Sequence, residues 1–165
     1  MFEQLFNSRL KITRLKNEGF MELEGRIWKD GKFWLVEIPI LDAMTQGKSR
    51  KNALHMIEDA VTGLIECYFE DKAGKKLGVK AFLRDDGVIG ITAKDTKILL
   101  SLSLIKQREK SNSTVREVSK RLGSKSPNAY AQYERGRLSV TLEKFEELLL
   151  AVNPFQHRHI RVGIV

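Results

Sequence analysis

The chain has 165 residues, enough for one medium domain or two small ones, and its 42% hydrophobic and 30% charged residues exclude a disordered chain. Its net charge of +8 is uneven: residues 97–165 hold 13 Lys and Arg against 6 Asp and Glu, residues 1–96 hold 16 against 15. A strongly basic part beside a nearly neutral one points to a polyanionic partner, most simply nucleic acid.

No uncharged run reaches the roughly 18 residues that span a bilayer. The opening Met1-Phe2-Glu3-Gln4-Leu5-Phe6 lacks the basic and apolar regions of a secretory signal. Cys67 is the single cysteine, so an internal disulfide and a cysteine-rich zinc site are excluded. His55, His157 and His159 have no metal-binding spacing. A cytoplasmic protein with no membrane contact, no metal and no cofactor is expected.

Residues 1–20 have no clear period and are compatible with a short extra helix or with read-through from an upstream start. Residues 21–40 read as a hairpin: Met21, Leu23 and Ile27 alternate with Glu22, Glu24 and Arg26, Asp30-Gly31 supplies the turn, and Phe33–Ile38 is aromatic and β-branched up to Pro39. Leu54, Ile57, Val61, Leu64, Ile65 and Tyr68 recur at helical spacing over 49–69, with Ser49 as N-cap. Arg50 and Lys51 in its first turn oppose the helix dipole. Two short strands, 76–83 and 87–93, flank an Asp86-Gly87 turn. The expected unit is β-β-α-β-β, an α+β layer with one helix on one sheet face and the other face or an edge left for a partner.

From residue 96 the character changes. The alternation of Ile98–Ile105 permits a strand, but Asp95 or Thr96 as a cap and the charged run Lys106–Lys110 after it favour a helix, which is followed by helices at about 114–122, 126–135 and 141–152, with Pro154 ending the last. Residues 155–165 form a basic tail compatible with a last strand. The second and third of these helices make a helix-turn-helix pattern. Val115, Val118 and Leu122 form an apolar face, small Ser119 permits a close crossing, and Gly123 can take a turn conformation closed to other residues. Pro127 suits a first helical turn. Ala129, Tyr130 and Tyr133 are expected to face the core, leaving Lys125, Ser126, Asn128 and Gln132 outward. Asn and Gln amides can pair bidentately with adenine in the major groove. Arg116, Lys120, Arg135 and Arg137 are placed for phosphates.

Thr114 to Val152, with its Tyr133-Glu134-Arg135-Gly136 element, resembles the Xre/Cro-type helix-turn-helix. It departs from the phage repressors in a turn one residue longer after Gly123, and in Val115 where a phosphate-contacting Gln is common. Residues 34–39 (Trp-Leu-Val-Glu-Ile-Pro), then Thr45-Gln46-Gly47, then a helix with Ala53-Leu54, resemble the HicB antitoxins, in which a hairpin ends at Pro, a Thr/Ser-Gln-Gly loop follows, and a helix packs on the sheet. The resemblance covers roughly residues 21–153. It implies an α+β fold: a partial RNase H-like HicB domain with an antiparallel-type sheet and one packed helix (21–94), then an all-α helix-turn-helix domain (95–153), between an N-terminal extension (1–20) and a tail (154–165). It implies a type II antitoxin that masks a small HicA-like ribonuclease and represses its own operon by binding operator DNA, as a homodimer or higher homo-oligomer. Two recognition helices would then sit about 34 Å apart on a palindrome. The acidic residues Glu58, Asp59, Glu66, Glu70 and Asp71 are the groups available to steer a basic toxin. The alternative is a stand-alone repressor whose N-terminal domain dimerises or senses a ligand.

An enzyme is not expected. Two-metal nuclease chemistry needs converging carboxylates, and Glu22, Glu24, Glu37 and Asp59 show no supporting pattern. His55 reads as a helix-surface residue. Cys67, beside Tyr68 and Phe69, reads as a buried thiol.

Overall fold

The computed structural model describes residues 21–155. The expectations for residues 1–20 and for a strand in the C-terminal tail, with His157 and His159, lie outside them.

Hydrophobic alternation builds the first hairpin. Strands β1 (Leu23–Asp30) and β2 (Phe33–Ile38) pair antiparallel around Gly31-Lys32, with Gly31 at φ 56°. Pro39 then opens a 3-10 turn, Pro39–Leu41, and Asp42 turns left-handed at φ 48°. The next segment corrects the sequence reading. Ala43–Gly47 is a strand, β3, paired antiparallel with β2, where the sequence suggested a loop. It is a short edge strand, and its partner rather than its own propensity holds it extended.

Helix α1 (Arg50–Tyr68) starts where Ser49 accepts a hydrogen bond from the Asn52 N–H. It buries Ala53, Ile57, Val61 and Ile65, while Leu54, Leu64 and Tyr68 are half-buried. Each buried Val or Ile contributes about 1.5–3 kcal/mol relative to exposure. Gly47 lies against the first turn of α1, where a Cβ would overlap the backbone of Ala53. Arg50, at the dipole's unfavourable end, lies over the Trp34 ring at 4.4 Å, a cation–π contact that offsets part of the cost. Cys67 is exposed on α1, which corrects the expectation of a buried thiol: the helical stripe turns Ile65 and Phe69 inward and leaves position 67 outside.

Strands β4 (Lys80–Asp85) and β5 (Val88–Thr92) complete a five-stranded antiparallel sheet in the order β3-β2-β1-β5-β4. Leu23, Ile27, Val36, Ile38, Ile89 and Ile91 form a core with α1 on one face. The alternate residues, Trp28, Leu35, Met44 and Phe82 among them, lie on the other face, which no helix covers among the described residues. Met44 there is 55% exposed.

Four more helices follow: α2 (Thr96–Lys110), α3 (Val115–Arg121), α4 (Pro127–Glu134) and α5 (Leu142–Val152). Their caps, Asp95, Thr114, Ser126 and Thr141, stand where the sequence signals put the helix starts. Helix α2 serves two cores. Ile98, Leu99, Leu102 and Ile105 join the sheet core, whereas Leu104 joins a second core with Val118, Tyr130, Phe145 and Leu148. Its C-terminal half is also tied to the loop before β3. Buried Gln107 donates from Nε2 to the carbonyls of Pro39 (3.1 Å) and Ile40 (2.7 Å), and Lys110 pairs with Asp42 at 2.9 Å. The Tyr68 hydroxyl of α1 donates to Glu109 at 2.7 Å.

Candidate nucleic-acid interface

A reciprocal capping box opens α3. The Thr114 hydroxyl accepts from the Glu117 N–H (3.2 Å), and the Glu117 carboxylate accepts from the Thr114 N–H (2.6 Å). The hydrogen bonds from Thr114 hold the exposed Glu117 carboxyl below its ordinary pKa. Gly123 leaves the helix at φ 70°, and the Ser124 N–H closes the turn on the Ser119 carbonyl at 2.9 Å. Ser119 is buried with its Oγ 3.4 Å from the Pro127 carbonyl, so the small side chain does admit α4. Ser126 then caps α4 by accepting from the Asn128 N–H at 3.3 Å, with Pro127 in the first turn.

The inward face of α4 is held by a polar group that the sequence reading missed. Glu134 is buried and receives two hydrogen bonds from Arg108 of α2, at 2.6 and 3.1 Å, and one from the Tyr130 hydroxyl at 2.6 Å. Burial and the adjacent Glu134 carboxylate push the Tyr130 pKa up, so its hydroxyl stays a donor. Arg108 also donates to the Ser113 carbonyl at 3.2 Å, joining the start of the motif to its recognition element. After α4, Gly136 turns at φ 67°, and a Cβ there would stand 3.0 Å from Ile98 Cδ1. This supplies a physical reason for the Tyr-Glu-x-Gly element: Glu134 anchors the helix, and glycine takes the left-handed turn that follows without strain or pressure on Ile98.

The outward face carries the nominated residues. Asn128 is exposed and Gln132 half-buried, and neither side-chain amide is engaged among the described residues. Ser126 is exposed, but its oxygen is occupied as the cap. Ala129 is exposed, a correction to its expected core position: Tyr130 and Glu134, four residues apart, define the buried stripe, and position 129 falls beside it. Gln132 and Ala129 border a surface groove of about 250 Å³ with Leu138 and Lys144.

The cations divide into two kinds. Arg108 and Arg121 are used internally, Arg121 donating to Ser113 Oγ and the Ala151 carbonyl, each at 2.9 Å. Arg116, Lys120, Lys125, Arg135 and Arg137 are exposed and enter no ion pair among the described residues. They flank α4 on α3 and on the turns before and after it. Unpaired guanidinium and ammonium groups around a helix with two free amides are what a DNA duplex can use: phosphates for the charges, base edges for the amides.

The carboxylates considered for catalysis are dispersed. Glu22 pairs with Arg84, Glu37 with Arg26, and Asp59 with His55 on the exposed face of α1. Among the described residues no group of three or more His, Cys, Asp or Glu is placed to hold a metal ion. Of the acidic residues considered for steering, Glu58 accepts from the Ala81 N–H at 2.9 Å and Glu66 from the Gly74 N–H at 3.1 Å. Among the described residues no helix is long and apolar enough to cross a membrane.

Residues 104–153 match a family model described as Helix-turn-helix. The match runs from the second half of α2 through α5 and marks the chain as a DNA-binding transcription regulator with a helix-turn-helix in its C-terminal part. No curated protein matches the chain.

Proposed function

We propose that the chain is a transcriptional repressor that reads operator DNA with α4 and carries a protein partner on its sheet domain, as an antitoxin of the HicB kind does. The observation that carries the DNA half is the face of α4. Asn128 and Gln132 present unengaged amides between unpaired cations on α3 and on the turn after α4. Asn128 and Gln132 read base edges, while Arg116, Lys120, Lys125, Arg135 and Arg137 hold phosphates. Ser126 adds a phosphate contact through its free O–H. Two copies on a palindrome would present two such helices one DNA turn, about 34 Å, apart.

The antitoxin half rests on the resemblance of the Trp34–Pro39, Thr45–Gly47 and Ala53–Leu54 segments to HicB proteins. It is also supported by the sheet face with Trp28, Leu35, Met44 and Phe82, which no helix among the described residues covers and which offers apolar contact area to a partner. The partner in this reading is a small basic HicA-like ribonuclease, and the partial RNase H-like assignment of the sheet domain belongs to the same reading.

The test is co-purification of the tagged chain from its native host. A stoichiometric small ribonuclease, released by denaturation, refolded, and silenced when the chain is added back, supports the antitoxin. No such protein, with specific retention of the chain's own promoter, overturns the antitoxin half and leaves a stand-alone repressor.

A further inference from the structure

A second group of unpaired cations lies outside the helix-turn-helix. Lys72, Lys75, Lys76 and Lys94 line a cavity of about 170 Å³ with Leu77 and Ile98 among its walls. Lys72 is spoken for, with Asp71 and Asp95 each 3.6 Å away. Lys75, Lys76, Lys94 and Lys97, the last in the first turn of α2, are exposed and enter no ion pair among the described residues. The base of Lys94 is fixed. Its N–H donates to the Leu77 carbonyl at 3.1 Å, and its stem lies across Gly78, where a Cβ would stand 2.6 Å from Lys94 Cγ.

Ile98 connects this group to the DNA face. Its side chain lines the lysine cavity and also packs under the Gly136 turn. One helical turn further on, the Ser101 hydroxyl donates to the Tyr133 carbonyl at 2.6 Å, fixing the end of α4 on α2. Gly136, between Arg135 and Arg137, therefore approaches the same Ile98 that shares a cavity with Lys75, Lys76 and Lys94, and Lys97 precedes Ile98 in the first turn of α2. Unpaired like charges lining one cavity repel one another, and a polyanion running past relieves that repulsion. Lysines on flexible stems suit phosphates rather than base edges. The link through Ile98 to the arginine turn favours a duplex backbone over an isolated small anion.

We propose that Lys75, Lys76, Lys94 and Lys97 contact DNA phosphates flanking the site read by α4, so that the DNA interface continues from the helix-turn-helix onto the sheet domain. The proposal rests on the DNA-binding reading of α4.

The experiment uses the full chain, wild type and K75A/K76A/K94A/K97A, with two operator duplexes. One ends at the outermost base pair whose substitution alters binding, and the other is extended by one helical turn. Four phosphate contacts at a log–log salt slope of about 0.9 each predict that wild type on the extended duplex loses roughly a further hundredfold in affinity between about 50 and 200 mM salt. At low salt wild type binds the extended duplex tighter than the short one. The quadruple variant loses both properties, binds the short duplex as wild type does, and melts at the wild-type temperature. Equal wild-type affinity for the two duplexes, or a variant that keeps the extended-duplex advantage, overturns the proposal. A variant unchanged on both duplexes, whose operator affinity no longer responds to added inorganic phosphate as wild type's does, overturns it in favour of a small-anion site. Absence of sequence-specific binding by wild type on either duplex is a separate signature, and it removes the α4 reading itself.

Discussion

Arg108 grips Glu134 through two parallel hydrogen bonds, Nε to Oε1 at 2.6 Å and Nη2 to Oε2 at 3.1 Å, and so joins α2 to the buried face of the recognition helix. With Tyr130 also donating to Glu134, removal of Arg108 leaves a carboxylate buried with only a phenol for a partner. Arg108→Ala and Glu134→Ala are each expected to destabilise the chain by about 3 kcal/mol, the lower end for a broken buried pair because the guanidinium keeps some exposure. The double variant should cost less than the sum of the two. Urea unfolding of the four proteins measures the coupling, and additive losses would show that the pair carries no interaction energy.

Gly136 and Gly123 both sit at positive φ, but their surroundings differ. A Cβ at 136 would press on Ile98 at 3.0 Å, whereas a Cβ at 123 meets nothing within 4 Å. Gly123→Ala is expected to cost about 1 kcal/mol, the penalty for left-handed backbone alone. Gly136→Ala should cost measurably more and weaken DNA binding as well, because the turn carries Arg135 and Arg137. Equal losses in denaturant melts would show that Ile98 yields freely.

Base and phosphate contacts separate by their salt behaviour. Asn128→Ala and Gln132→Ala are each expected to weaken operator binding by about 1–3 kcal/mol and leave binding to unrelated DNA unchanged. Arg116→Ala and Arg137→Ala should weaken binding to every sequence, each lowering the salt slope by about 0.9. Fluorescence anisotropy titrations at several salt concentrations distinguish the two classes. A specific loss from the arginine variants would exchange the roles.

The capping box of α3 titrates. Glu117 has a folded pKa below its unfolded value because the Thr114 hydrogen bonds favour its ionised form. A depressed carboxylate contributes stability that is present above the unfolded pKa of about 4.3 and is lost as pH falls through the folded value. Glu117→Gln should therefore melt below wild type by a constant interval between about pH 7 and 5, and the interval should shrink below about pH 4. An interval unchanged at acid pH would show that the carboxylate's charge contributes nothing.

The helices were legible because their signals are local. Ser49, Asp95, Thr114, Ser126 and Thr141 are caps, and the apolar spacing behind each is helical. Strand β3 was not, since Ala43–Gly47 becomes a strand only by pairing with β2. Glu134 was visible as part of a motif, but its partner Arg108 lies 26 residues earlier and no local pattern marks it. Lys75 and Lys76 lie far from Lys94 in sequence, and only the fold lines one cavity with all three. The free cations of the interface resemble the structural ones in sequence, and only the ion pair of Arg108 and the hydrogen bonds of Arg121 tell them apart.

Whether α4 reads DNA sequence is decided by selecting duplexes from a random library with the purified full chain. Wild type should enrich a defined motif, and N128A/Q132A should retain salt-sensitive binding with that motif lost or relaxed. Enrichment of the same motif to the same degree by the double variant, or no enrichment by wild type, would mean that Asn128 and Gln132 of α4 do not read sequence.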